Sequence, residues 1–222
     1  MTSYTQLRQQ VAGIRTGTVP GWLTQALTNA VAAPRDAAVL RHPLGFLCIP
    51  VIRFEEGGVC VHVWTRRVHT PRPTTSSVHC HSWDLQSLVL DGEIHNHLVR
   101  VTPTTGVPSH RVFEVHSHGD VDEIRATPQL VHCGPGTVES HRAGEVYVMP
   151  SGTFHRSEVP GGEATTLMLA RNRPGHHDRS IGPIHARSHQ VWRKRCDAAE
   201  CGWVARTVLQ LLERTQPAAQ PV

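Results

Sequence analysis

The chain has 222 residues, 39% of them hydrophobic, which is enough to bury one core with extensions at both ends and cramped for two full domains. No apolar run approaches the roughly 18 residues of a membrane span, and the opening MTSYTQLRQQ lacks the basic-then-apolar layout of a secretory signal, so a cytoplasmic protein with no membrane partner is expected. The formal charge of +4 comes from scattered arginines whose only compact run is Arg193-Lys194-Arg195, and the few aromatics are not interleaved with them, so nucleic acid is not an expected partner.

Residues 4–32 carry apolar positions at helical spacing, Leu7, Val11 and Ile14 and then Trp22, Leu23, Leu27 and Val31, broken at Gly17–Gly21; two short helices packed on the outside of a β-domain are predicted. From His42 the texture changes. The runs Gly45–Phe54 and Val59–Thr65 flank the turn signal Glu55-Glu56-Gly57-Gly58 and predict a hairpin. Further β-rich runs follow at Val78–His81, Leu85–Leu90, Ile94–Val101, Arg111–His116, Gln129–Cys133, Val138–His141, Glu145–Met149 and Ala164–Ala170. Many short strands with no long helices between them predict an antiparallel sandwich or barrel. After Arg173-Pro174-Gly175 a His- and Arg-rich segment leads into a helical pattern from about Val191 to Leu212, and 216–222 reads as a frayed tail. The chain thus divides into an N-terminal helical extension (1–41), an all-β domain (42–172) and a C-terminal segment with a helix (173–222). The six cysteines are spread along it and are expected to be reduced.

Histidine is the compositional outlier, with 17 residues, and neutral imidazole is the commonest metal ligand. In His79-Cys80-His81, period-two alternation sends both imidazoles to one face of a strand, where they can share a metal, and Cys80 to the other. Downstream, Gly144 to His155 gives a strand, a turn marked by Pro150 and Gly152, and a histidine that the turn can return beside the first pair.

These residues resemble the cupin superfamily. Its second motif, G-x5-P-x-G-x2-H, is matched at Gly144, Pro150, Gly152 and His155, and its first motif is matched at His79, His81 and Gly92. Pro73 replaces the leading glycine of the first motif, Leu85 or Gln86 stands where its glutamate belongs, and Val159 replaces the terminal asparagine of the second. The resemblance spans roughly 42–172. It implies a cupin-type antiparallel β-barrel or jelly roll that holds one divalent metal ion through His79, His81 and His155. Without the glutamate the site is similar to that of the three-histidine iron cupins, which implies Fe(II), an O2-using dioxygenase acting on a small polar metabolite, and a homodimer. Imidazole also suits Zn and Ni, and Mn occurs in related barrels, so two further readings stay open: a non-redox isomerase, lyase or hydrolase, and a small-molecule-binding barrel without turnover.

Other residues carry conditional roles. Asp84 is a candidate fourth ligand or orienting carboxylate, with a turn anchor as its structural alternative, and Gln86 is a weaker candidate of the same kind. His95 and His97 share one face of a strand and become acid-base groups if that face is the lumen. Tyr147 can hold a substrate oxygen or donate a proton if it faces the metal. Arg142, Arg156 and Arg171 flank the second motif and could clamp a carboxylate. His116, His118, His132 and His141 fall in a long insert, Glu93–Gly144, and are mostly expected at the surface. A rival zinc site is conceivable from His185, His189, Cys196 and Cys201, at a non-standard spacing.

Overall fold

The computed structural model describes residues 3–104 and 106–215. Helix α1 (Tyr4–Gly13) opens on a capping box: the Ser3 hydroxyl accepts from the Gln6 N–H and the Gln6 side chain accepts from the Ser3 N–H. A single 3-10 turn (Ile14–Thr16) leads to α2 (Gly21–Ala32). Thirteen strands follow among the described residues: β1 (Leu40–Arg41), β2 (Leu47–Phe54), β3 (Gly57–Trp64), β4 (His79–Cys80), β5 (Trp83–Pro103), β6 (His110–His118), β7 (Val121–Arg142), β8 (Val146–Met149), β9 (His155–Glu158), β10 (Ala164–Asn172), β11 (Asp178–Gly182), β12 (His189–Trp192) and β13 (Lys194–Arg195). Helix α3 (Ala198–Thr215) closes the described chain. The architecture is an antiparallel, cupin-type jelly roll with helical extensions at both ends.

Strand β5 belongs to both halves of the roll. Its first part pairs with β10 and β8, in the half ordered β13-β1-β2-β3-β10-β5. From Glu93 onward it pairs with β9 and β7, in the half ordered β5-β9-β4-β11-β6-β7-β12. Gly92 is the handover point, at φ 78°, and a Cβ there would lie 2.5 Å from the Glu163 carbonyl oxygen, so only glycine fits without displacing backbone. Because glycine reads as punctuation, the sequence suggests two strands where there is one. The runs Gln129–Cys133 and Val138–His141 likewise merge into β7, so the insert becomes a long arm of paired strand.

Residues after 172 contribute to the roll as well as covering it: β11 inserts between β4 and β6. The helix expected from about Val191 starts at Ala198 instead. Residues 189–192 alternate and pair with β7, and the helix is fixed by a reciprocal cap in which the Glu200 N–H donates to Asp197 and the Asp197 N–H donates to Glu200. The frayed tail expected at 216–222 lies outside the described residues.

Alternation divides the interior. On β3, Val59, Val61 and Val63 face outward and pack with Leu7, Leu27, Val204 and Val208 of the three helices, each no more than 3% exposed. Burying each such side chain contributes about 1.5–3 kcal/mol. The intervening Cys60, His62 and Trp64 face the lumen. The six cysteines are free thiols, and among the described residues no helix is long and apolar enough to cross a membrane.

Candidate metal centre

His79 on β4 and His155 on β9 are directly paired across an antiparallel ladder, and His81 follows one alternation later. The turn between β8 and β9 is docked onto the same strand: the Gly152 N–H donates to the His81 carbonyl at 2.9 Å and the Ser151 hydroxyl to the same oxygen at 3.1 Å. Gly152 takes φ 81°, the left-handed conformation that lets the turn reverse here. The three ring centroids lie 4.3 Å (His79–His155), 4.8 Å (His79–His81) and 5.2 Å (His81–His155) apart, with one ring nitrogen of each within 4.8 Å of the others.

Hydrogen bonds set the tautomers of two rings. His79 Nδ1 lies 2.9 Å from the Ser77 carbonyl oxygen and His155 Nδ1 lies 3.0 Å from that of Thr153. A carbonyl only accepts, so each Nδ1 carries the proton and each Nε2 is left with a free lone pair. His81 is held differently, stacked on Trp83 at 4.0 Å and 20°. Burial keeps all three imidazoles below their ordinary pKa, His79 being lowered further by His155, and His81 by His79 and then His155. Three neutral imidazoles with one donor nitrogen of each within 4.8 Å of the others, two of them with the second nitrogen held by a backbone carbonyl, are a donor set suited to a divalent transition ion. The cluster faces a lumen of about 610 Å³.

Asp84 is not brought to this cluster. Its carboxylate accepts from the Ser151 N–H at 3.0 Å and from Arg173 Nε at 2.7 Å, so it ties β5 to the turn that carries His155. Gln86 is buried at the parity of Leu88 and Leu90, which pack under the helices, and it therefore faces away from the lumen. His95 is also outside. Ile94 and Asn96, both 0% exposed, take the inward positions, and His95 lies on the opposite face with its Nε2 2.8 Å from Glu93. His97 shares that face and sits 3.1 Å from Glu158. Arg142 and Arg156 are paired with Glu93 and Glu158, and Arg171 lies over the Tyr4 ring. Cys80 is buried beside Arg179 of β11. Among the described residues the C-terminal His185, His189, Cys196 and Cys201 form no ligand group: His189 bonds to Arg187 and Thr74, and Cys201 packs in the helical core.

Tyr147 does face the lumen. It is 7% exposed, lies directly across from Ser87, and stacks on His141 at 4.6 Å and 19°; burial raises its phenol above the ordinary pKa, with Ser87 and Asn96 pulling the other way. His141 is thus an exception to the surface role expected of the insert histidines. One group was not singled out from the sequence at all. Cys48, Cys60 and His62 also have their donor atoms within 4.8 Å of one another on the lumen wall. The alternation Val59-Cys60-Val61-His62-Val63-Trp64 carries the signal, since Cys60-x-His62 has the same spacing as His79-x-His81.

No protein-family model matches the sequence, and no curated protein matches it either. Among solved structures the chain is similar to a hydroquinone 1,2-dioxygenase, PnpCD, in complex with Cd2+ and 4-hydroxybenzonitrile, at 14% identity over 56% of this chain and 63% of that one, with a TM-score of 0.34. It is similar to an uncharacterised conserved protein with a double-stranded β-helix domain from Klebsiella pneumoniae, at 12% identity over 68% and 85%, TM-score 0.30. It is also similar to Cellulomonas parahominis L-ribose isomerase with L-psicose, at 15% identity over 72% and 89%, TM-score 0.35. The match spans less than two thirds of the dioxygenase chain. Likeness at this level concerns the β-fold and says nothing of the site.

Proposed function

We propose that this chain is a cupin-type, metal-dependent enzyme in which His79, His81 and His155 hold one divalent ion, and that it is an Fe(II) dioxygenase acting on a small polar metabolite with O2. The observation that carries the reading is the three-imidazole cluster, with no carboxylate joined to it among the described residues, opening on the lumen of the roll. When bound, such an ion supplies a Lewis-acid centre with positions left open for substrate and O2.

The chain's own residues favour a small, polar, preferably anionic substrate. Three neutral ligands leave the ion's two charges uncompensated, so a substrate anion is drawn to it. Ser87, Asn96 and Thr166 are buried, Ser87 and Asn96 turned toward the Tyr147 phenol and Thr166 Oγ1 without a hydrogen-bond partner among the described residues. Such groups are costly unless a ligand or solvent satisfies them. Tyr147 stands among them, and with its pKa raised it remains a phenol at neutral pH, able to donate a hydrogen bond to a substrate oxygen. That proton-bearing lumen group also supports the second reading, an isomerase, lyase or hydrolase in which Zn, Mn or Ni polarises a carbonyl. Asp84 and His95 have no part in either. In solution we expect a homodimer by the cupin resemblance, which light scattering tests.

The deciding experiment is metal analysis of protein purified without added metal, beside O2 uptake after anaerobic Fe(II) loading against a panel of small thiols, diketones and amino acids. Near-stoichiometric iron with substrate-dependent O2 consumption, both lost in His79→Ala and His155→Ala, is the expected result. Zinc or nickel with turnover and no O2 uptake selects the non-redox enzyme. Ligand binding without turnover selects a binding protein, and full metal content in folded histidine variants overturns the site itself.

A further inference from the structure

The lumen holds a second set of soft donors. On β2, Leu47 and Ile49 pack under the helices and Cys48 between them faces inward; on β3 the valines face out and Cys60 and His62 face inward. The hairpin register puts Cys48 directly opposite His62 and Cys60 opposite Pro50, so the two sulfurs and the imidazole occupy adjoining positions on one face of two paired strands. Their donor atoms lie within 4.8 Å of one another. The imidazole is held in place by its neighbours. It stacks on Phe46 at 4.2 Å, and Phe46 is stacked in turn on His42 at 4.4 Å.

A bland reading is that two core thiols simply pack together. Two features argue otherwise. All three residues line the lumen, and Cys48 and His62 are partly exposed to it. None of the three side chains hydrogen-bonds to a residue outside the group among those described.

We propose that Cys48, Cys60 and His62 form a second metal site, a two-thiolate, one-imidazole centre for a thiophilic divalent cation of the zinc class, separate from the three-histidine cluster and open to the same lumen. Charge selects the ion class. Two thiolates cancel a divalent charge, giving a neutral centre, whereas a monovalent ion would leave a net negative one. Zinc takes four ligands in a tetrahedron, and three from the protein leave one position for solvent or substrate. The site does not depend on the reaction proposed above.

The test is a Co(II) titration of metal-free, reduced, full-length protein, with Co(II) standing in for zinc. Two equivalents are expected, one of them giving thiolate-to-cobalt charge-transfer absorption in the near ultraviolet. The Cys48→Ser/Cys60→Ser variant should bind one equivalent and lose that absorption, and the His79→Ala/His155→Ala variant should keep it. Because serine substitutions can disturb packing, alkylation of the unaltered protein is mapped by mass spectrometry with and without Zn2+: protection confined to Cys48 and Cys60 and reversed by a chelator supports the site. No thiolate charge transfer in the reduced wild type, its retention in the cysteine variant, or equal labelling with and without Zn2+ overturns the proposal.

Discussion

Substitutions at Asp84 separate an anchoring carboxylate from a ligating one. In the structure Oδ1 accepts the Ser151 N–H at 3.0 Å while Oδ2 faces Arg173. Ser151 and Gly152 both donate to the His81 carbonyl, so Asp84 stabilises the turn that delivers His155. Asp84→Ala leaves the partly buried Ser151 N–H without its acceptor, which costs about 1–3 kcal/mol. Asp84→Asn keeps an acceptor oxygen and loses only the ion pair with an exposed arginine, a contribution screened by salt, so its cost is the smaller of the two. The carboxyl is held below its ordinary pKa by Arg173 first and by the Ser151 N–H as well. A depressed folded-state pKa adds stability that is present above the unfolded value of about 3.9 and lost as pH falls through the folded one. At neutral pH the contribution is therefore complete. Urea unfolding of the wild type and both variants at neutral pH and two ionic strengths, beside metal analysis of each, reads these terms. Both variants should retain the wild-type metal content. An Asp84→Asn protein as stable as the wild type but depleted of metal would make Asp84 a ligand and refute this reasoning.

Gly92→Ala should destabilise by at least about 2 kcal/mol in the same assay, since a left-handed residue with a Cβ costs about 1–2 kcal/mol and the new atom meets the Glu163 and Ala164 backbone; a loss under about 1 kcal/mol contradicts the handover role. Leu27→Ala, at a fully buried position between α2 and the sheet, should cost about 2–5 kcal/mol in the unfolding midpoint and leave metal content unchanged. Trp83→Ala frees the His81 ring and should weaken metal affinity on the order of tenfold in a chelator competition, with no effect if stacking is incidental. His95→Ala should leave metal content and turnover at wild-type levels; a selective loss of turnover would return His95 to the site.

What could be read from the sequence is what depends on local periodicity. The alternation in Val59–Trp64 and the spacing His79-x-His81 fix which side chains share a face, and the Gly144–His155 spacing fixes the turn that brings in the third histidine. Which face is the lumen is a matter of pairing. His95-x-His97 has the same spacing as His79-x-His81, yet it faces outward because Ile94 and Asn96 take the inward positions once β5 has crossed at Gly92. Strands β9 and β11 are short and polar, recognisable only by the partners on either side of them. Cys48 and Cys60 lie too far apart in sequence for a local motif, and only the hairpin register makes them neighbours.

The larger of the two apolar clusters that stabilise the roll lies outside the lumen, under the helices. Leu47, Ile49, Val61, Leu88, Leu167 and Leu169 all face the helices and form the larger apolar cluster with α1, α2 and α3. The inner face of the same strands carries a smaller apolar cluster that includes Leu85, Ile94, Tyr147 and Met168, and beside it the neutral imidazoles and free thiols. His42 lines the same lumen, and burial, with His62 adding to it, lowers its pKa to about 3, so it stays uncharged there. In this arrangement the helical extensions supply the larger share of the apolar burial, and the smaller inner cluster leaves room on the same strands for polar donors.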